Sequence, residues 1–406
     1  MKHSRRIFFI LLALGLILSG IAPLCAEVLW SDEGFYLDLP EGFELAGGDS
    51  TSRFAFLSPD RGLEVDLFRY DRERCTDAAA LAADVLKKIG STGETEAFTY
   101  ENRPSVLAEL KFSLNGASKK GYALFIEGRA APASGRASAG QEAGGSAVLP
   151  PAKPERHTVL LAYTDESRFE SYGDLVLSSL DSFSADALAL RHPGPLSQYL
   201  FAFPAQRKDT KTISFKGTSI EVGWNKDEAQ EQEDMAGREF RVLKAYGQNP
   251  SLWKPAWIRA YRMIYRECAA SLDEFAAKID PLLPDDPTDA ARELLFWVQG
   301  FSYERDQKGS DFIAPLDSAY GARGDCDSRA MVMAILLRRR SIDSVLMLSN
   351  EYQHAMLGID VPGGGQRFPF NKKQYLVAET TAKVGLGMIA QDQADWSKWI
   401  GAPLWD

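Results

Sequence analysis

Apolar and polar side chains alternate along Arg53–Leu57 and Leu63–Tyr70, the mark of half-buried antiparallel strands. Phe35 to Phe43 reads as a strand running into a turn at Pro40 and Gly42. From Thr76 to Ile89 the period lengthens. Ala80, Leu81, Val85 and Ile89 fall on one face, which predicts a helix capped by Thr76 or Asp77. Ser105–Ser113, Tyr122–Gly128 and His157–Tyr163 read as further strands, and Glu166–Ser179 as a closing helix. Between the second and third of these strands runs a stretch rich in Ala, Gly, Ser and Pro and nearly without large apolar groups. It cannot bury enough surface to order itself, so it predicts a disordered insert at about 131–155 inside a hairpin. One sheet should then continue on both sides of it.

His192-Pro193-Gly194-Pro195 punctuates the chain and divides residues 27–186 from residues 187–406. Two domains also suit a length of 406 residues. The second part opens with a predicted hairpin, Thr212 to Trp224, around Lys216-Gly217. Helices are predicted over Glu228–Tyr246 and Trp257–Ile279, broken by Pro281, Pro284 and Pro287, and then over Asp289–Tyr303. After a loop, an apolar helix starts at Cys326. Strands follow at Ser344–Leu348, His354–Val361 and Gln374–Glu379, the last two flanking the turn Pro362-Gly363-Gly364-Gly365. The whole predicts an α+β protein: an antiparallel sheet with helices, then a helical region leading into a second α+β core.

The first residues change the picture of where the chain works. Lys2, Arg5 and Arg6 precede the apolar run Ile7 to Leu18, and Leu24-Cys25-Ala26 follows. This predicts a secretory signal over residues 1–26 and an exported, periplasmic or secreted protein. An uncleaved anchor and a lipoprotein acylated on Cys25 are the competing readings, although Leu24 is bulky for the latter. No later segment is apolar enough to span a membrane. The net charge of −10, with no basic tract besides Arg338-Arg339-Arg340, argues against a nucleic-acid partner. Cleavage would leave Cys75, Cys268 and Cys326, an odd number, so at least one thiol should be free. Cys75 and Cys268 could pair.

Cys326 carries the candidate chemistry. Gly324-Asp325 stops the chain just before it, placing the thiol in the first turn of a buried helix. Unpaired N–H groups and the positive helix end there should favour a thiolate. His354 and Glu379 lie downstream on neighbouring predicted strands. A symmetric hairpin centred between Gln366 and Arg367 would pair them directly, within about 5 Å. Cys326 as nucleophile, His354 as base and Glu379 as orienting acid is the residue set that acyl transfer needs. The Cys326 N–H is a candidate oxyanion donor. No cofactor is implied, and one Cys with one His is too few ligands for zinc.

Two resemblances extend this reading. Phe35-x-Leu37-x-Leu39-Pro40-x-Gly42-Phe43, with Leu175 through Phe183, resembles the PsbP-like fold, which implies a binding or scaffolding role for residues 27–186. Gly324-Asp325-Cys326-Asp327, the upstream Trp297 through Asp306, His354-Ala355 and Glu379-Thr380-Thr381 resemble the transglutaminase-like superfamily. That resemblance implies a papain-like core in residues 187–406 and a Cys326–His354–Glu379 triad acting on amide bonds of a peptide or protein. The family more often has Asp at the third position, where this chain has the longer Glu379. Gln299 and Tyr303 fall where the family places amide and aromatic side chains. The alternative is a non-catalytic envelope protein that holds a peptide in the same cleft. Oligomeric state is open.

Overall fold

The computed structural model describes residues 29–30, 34–49, 51–129, 155–201, 203–305 and 311–404. The predicted leader, and all but Glu155 of the predicted insert, lie outside them. The chain is a mixed α+β protein with antiparallel sheets.

The larger sheet has seven strands, in the order Glu44–Gly48, Arg53–Leu57, Leu63–Tyr70, His157–Asp165, Ala117–Ile126, Arg103–Leu114 and Thr95–Tyr100. His157–Asp165 pairs with Ala117–Ile126, so the sheet does continue across the insert. Helix α1 (Ala78–Ile89) covers one face. Asp77 caps it, accepting from the Ala80 N–H at 2.7 Å. Leu81 and Val85 of α1 pack with Val106, Phe125, Val159 and Leu161. Helix α2 (Phe169–Asp181) covers the other face, where Val176 and Leu180 meet Leu63, Val65, Leu124 and Leu160. Because His157–Asp165 is buried on both sides, it reads as a continuous apolar run instead of alternating.

The predicted strand over Phe35–Phe43 is shorter than expected. Only Tyr36–Leu37 is a paired strand, against Leu29–Trp30 and Phe183–Ser184. Glu44–Gly48 and Thr95–Tyr100 are strands that the alternation did not reveal.

Helix α3 (Pro195–Leu200) leads to the expected hairpin, Asp209–Phe215 with Thr218–Trp224. Then come α4 (Lys226–Ala245), α5 (Pro250–Cys268), α6 (Asp273–Ile279), α7 (Pro287–Val298), α8 (Pro315–Gly321) and α9 (Cys326–Arg339). A five-stranded sheet follows, in the order Arg367–Phe370, Lys373–Ala378, His354–Ile359, Ser344–Ser349 and Ile400–Pro403. Helix α9 is buried on all sides from Ser328 to Leu337, in one apolar core with α7, α8 and this sheet.

Charge, more than apolar surface, marks the seam between the two cores. Arg259, Arg262 and Arg266 share one face of α5 and are all buried. Arg262 Nε donates to Asp38 Oδ2 at 2.9 Å, and Arg259 Nε to the Asp38 carbonyl at 2.7 Å. Arg266 donates to the carbonyls of His192, Asp181 and Phe183 at 2.9–3.1 Å. Arg238 of α4 donates to Asp181 Oδ2 at 2.7 Å.

Cys75, Cys268 and Cys326 are all free thiols, so the possible Cys75–Cys268 bond is not formed. Cys268, the last residue of α5, is sealed in the core.

Candidate active site

The start of α9 is built by its own sequence. Gly324 has φ +150°, and a Cβ there would meet Ser328 Cβ at 2.8 Å and Ser318 Oγ at 2.9 Å. Both the conformation and the space therefore require glycine. Asp325 is the N-cap, accepting from Ser328 N at 3.2 Å and Ser328 Oγ at 2.7 Å. Arg329, one turn along, donates from Nε to the Gly324 carbonyl at 2.9 Å and from Nη2 to the Phe301 carbonyl at 3.0 Å. These contacts hold Cys326 as the first helical residue, 8% exposed. It borders a small cleft with Trp257, Tyr261, Asp327, Ser349, His354 and Ala355.

His354 and Glu379 meet. His354 Nε2 and Glu379 Oε2 are 2.6 Å apart. The ladder differs from the expected hairpin, however. His354–Ile359 pairs with Lys373–Ala378 through Leu357↔Ala378, Gly358↔Val377 and Ile359↔Leu376, two residues out of the predicted register. An extra strand, Arg367–Phe370, sits on the far side of Lys373–Ala378 and takes up the chain between them. A two-residue shift keeps the side-chain face, which a one-residue shift would have reversed. The longer reach of a glutamate then closes the diagonal.

Glu379 is fixed at its other oxygen. Oε1 accepts from Thr381 N at 2.7 Å, Thr381 Oγ1 at 2.5 Å and Ala382 N at 3.3 Å. Burial alone would raise its pKa. The hydrogen bond and charge of His354, joined by the Thr381 contacts, override that and hold it at about 2. Trp399 packs edge-on against the imidazole, ring centres 6.2 Å apart.

The thiol itself corrects the expectation of a stabilised thiolate. Burial, then the carboxyls of Asp327 and Asp325, push Cys326 up to about 12. The backbone N–H groups of Ala355 and Asp327 pull the other way and lose. The helix start thus carries two acidic side chains that offset its positive end. Asp327 is itself shifted well above the ordinary carboxylate range, by burial and by Asp325, while its Oδ2 accepts the Tyr261 hydroxyl. Asp325, Cys326 and Asp327 present ligand atoms within 4.8 Å of one another. Ser328 and Tyr261 already engage the two carboxyls, and three consecutive residues at a helix start do not make a metal cage.

The remaining residues separate. Gln299 donates from Nε2 to the carbonyls of Glu379 at 2.8 Å and Val384 at 2.9 Å, fixing the backbone that carries the acid. Helix α7 ends at Val298, short of the predicted Tyr303, which is 55% exposed and accepts from Arg305. Tyr261, Arg329 and Thr381 belong to the site and were not singled out in the sequence. Only Thr381 carried a signal there, as part of Glu379-Thr380-Thr381.

No protein-family model and no curated protein matches the chain. Among solved structures, cyanobacterial PsbP (CyanoP) from Synechocystis is similar at 12% identity and a TM-score of 0.29, over 41% of this chain and 98% of that one. LpqN, described as involved in cell envelope biogenesis of Mycobacterium tuberculosis, is similar at 11% identity and a TM-score of 0.25, over 37% and 82%. A Bacteroides thetaiotaomicron protein is similar at 8% identity and a TM-score of 0.22, over 84% and 85%. Among the described residues no helix is long and apolar enough to cross a membrane.

Proposed function

We propose that this chain is an exported, transglutaminase-like thiol enzyme acting on an amide bond of a peptide or protein through Cys326, His354 and Glu379. The observation that carries the reading is the 2.6 Å contact between His354 Nε2 and Glu379 Oε2 beside the cleft that Cys326 borders. With Nε2 committed to the carboxylate, Nδ1 is left to take the thiol proton.

In the proposed step, Cys326 Sγ–H gives its proton to His354 Nδ1 as the sulfur attacks the carbonyl carbon. Glu379 stabilises the imidazolium and the Cys326 N–H receives the developing oxyanion. His354 returns the proton to the leaving amine, giving a thioester that water or a second amine then opens. A thiol held at about 12 requires this proton transfer to accompany attack, as it does for a serine nucleophile. The N-terminal leader and the exported location are part of the same proposal.

The same raised thiol favours a second reading, a non-catalytic protein that holds a peptide in the cleft. Incubation with a mixed peptide library in 18O-labelled water separates the two. Products that carry the label, and that vanish with Cys326→Ala, support the enzyme. Peptides retained uncut by wild type and Cys326→Ala alike support the binding protein.

A further inference from the structure

A second cavity lies where α2, α3 and α4 converge, at the seam between the two cores, with a volume of about 230 Å³. None of its lining residues borders the Cys326 cleft. Its walls are apolar at Leu177, Leu200 and Met235 and acidic at Glu231 and Glu267; Arg238 and Arg241 also line it, bound to Asp181 and Asp174.

Glu267 is the unusual member. It is 4% exposed, yet among the described residues no cation lies within ion-pair distance of it. Both its oxygens accept only the Gly194 N–H, at 2.9 and 3.1 Å. The two nearby arginines are committed elsewhere: Arg238 to Asp181 and Glu239, and Arg266 to three backbone carbonyls. Glu231, at the rim, has no ion-pair partner among the described residues either, and its pKa is raised by burial and by Asp234. A buried carboxyl without a cation within ion-pair distance is held in its neutral form, and a cation entering beside it would favour its ionisation.

We propose that this cavity binds an organic ammonium ion, its cationic head on Glu267 and its apolar body against Leu177, Leu200 and Met235. Charge complementarity selects the cation, and the apolar walls select one with a hydrocarbon stem over a small inorganic ion. In the empty cavity, burial and then Asp181 push the Glu267 carboxyl up to about 8. Entry of the ammonium head at neutral pH should therefore release a proton.

The test is titration calorimetry of the full chain with hexylammonium chloride, with 1-hexanol and hexanoate as controls, in two buffers of different ionisation enthalpy. Saturable 1:1 binding of hexylammonium with proton release, and none of hexanoate, is the expected result. Glu267→Gln keeps an acceptor for Gly194 and should weaken binding by roughly tenfold or more, the scale of a lost charge-assisted hydrogen bond. Leu200→Arg, at a position 60% exposed and so safe for folding, plants a competing cation at the mouth and should do the same. Hexanol binding as tightly as hexylammonium, no binding at all, or both variants binding like wild type would overturn the proposal.

Discussion

Glu379 Oε2 and His354 Nε2 lie 2.6 Å apart on two strands whose ladder stops one residue short of the acid, at Ala378. The contact is a diagonal that the glutamate's extra methylene spans. Glu379→Gln keeps the shape and removes the charge that holds the imidazolium, so turnover should fall by at least about tenfold, less than with His354→Ala. Glu379→Asp should be partly active, because its shorter chain no longer reaches along the diagonal. Steady-state kinetics on the three variants checks the order.

The same carboxylate predicts a pH signature in stability. In the folded chain its pKa of about 2 lies below the ordinary glutamate value of 4.5. Its stabilising contribution is therefore full above about pH 4.5 and is lost as the pH falls toward 2. The difference in Tm between wild type and Glu379→Gln should shrink across that window. A difference that stays constant would show that the pair contributes no charge-dependent stability.

Burial first, and then the Asp327 and Asp325 carboxyls, raise the Cys326 thiol. Asp327→Asn removes one of the two carboxyls that raise the thiol and preserves the shape that meets Tyr261. The pH profile of Cys326 alkylation by iodoacetamide should move to lower pH, since more thiolate is present at any given pH. The shift is read by intact-mass spectrometry on the Cys75→Ala background, and an unmoved profile would leave burial as the sole cause of the raised thiol.

The seam between the cores predicts an asymmetric pair of results. Arg262→Ala leaves the buried Asp38 carboxyl only the looser 3.9 Å approach of Arg259 Nε and should cost about 3 kcal/mol in urea unfolding. Replacing both partners, Asp38→Leu with Arg262→Met, should recover most of that loss, because no charge is left buried and alone.

These relationships were unequally visible in the chain. Strands with one buried face, such as Leu63–Tyr70, announce themselves by alternation, and Asp77 or Gly324-Asp325 mark helix starts by cap chemistry. Arg367–Phe370 was invisible because four residues including Pro369 carry no period, and it displaced the hairpin register by two. Helix α8 leaves no sign in the sequence, because seven residues show no repeating face. The nature of His354 and Glu379 as partners survived the register error because the displacement was even. The thiol environment did not survive. Asp325 and Asp327 are adjacent in sequence, but whether they lower or raise the thiol depends on how deeply all three are buried. Likewise nothing along the chain marks Arg259, Arg262 and Arg266 for burial; that follows only once the helix is packed against Asp38, Asp181 and Glu239.

The central claim is that Cys326 forms an acyl bond with an amide substrate. Its most direct measurement is intact-mass and peptide-map analysis of the full chain after exposure to a peptide vinyl sulfone, in wild type, Cys326→Ala and His354→Ala. The account predicts one covalent adduct, located on Cys326, absent in Cys326→Ala and at least tenfold slower in His354→Ala. An adduct on Cys75 or Cys268 that persists in Cys326→Ala, or a Cys326 adduct formed equally fast without His354, would contradict it.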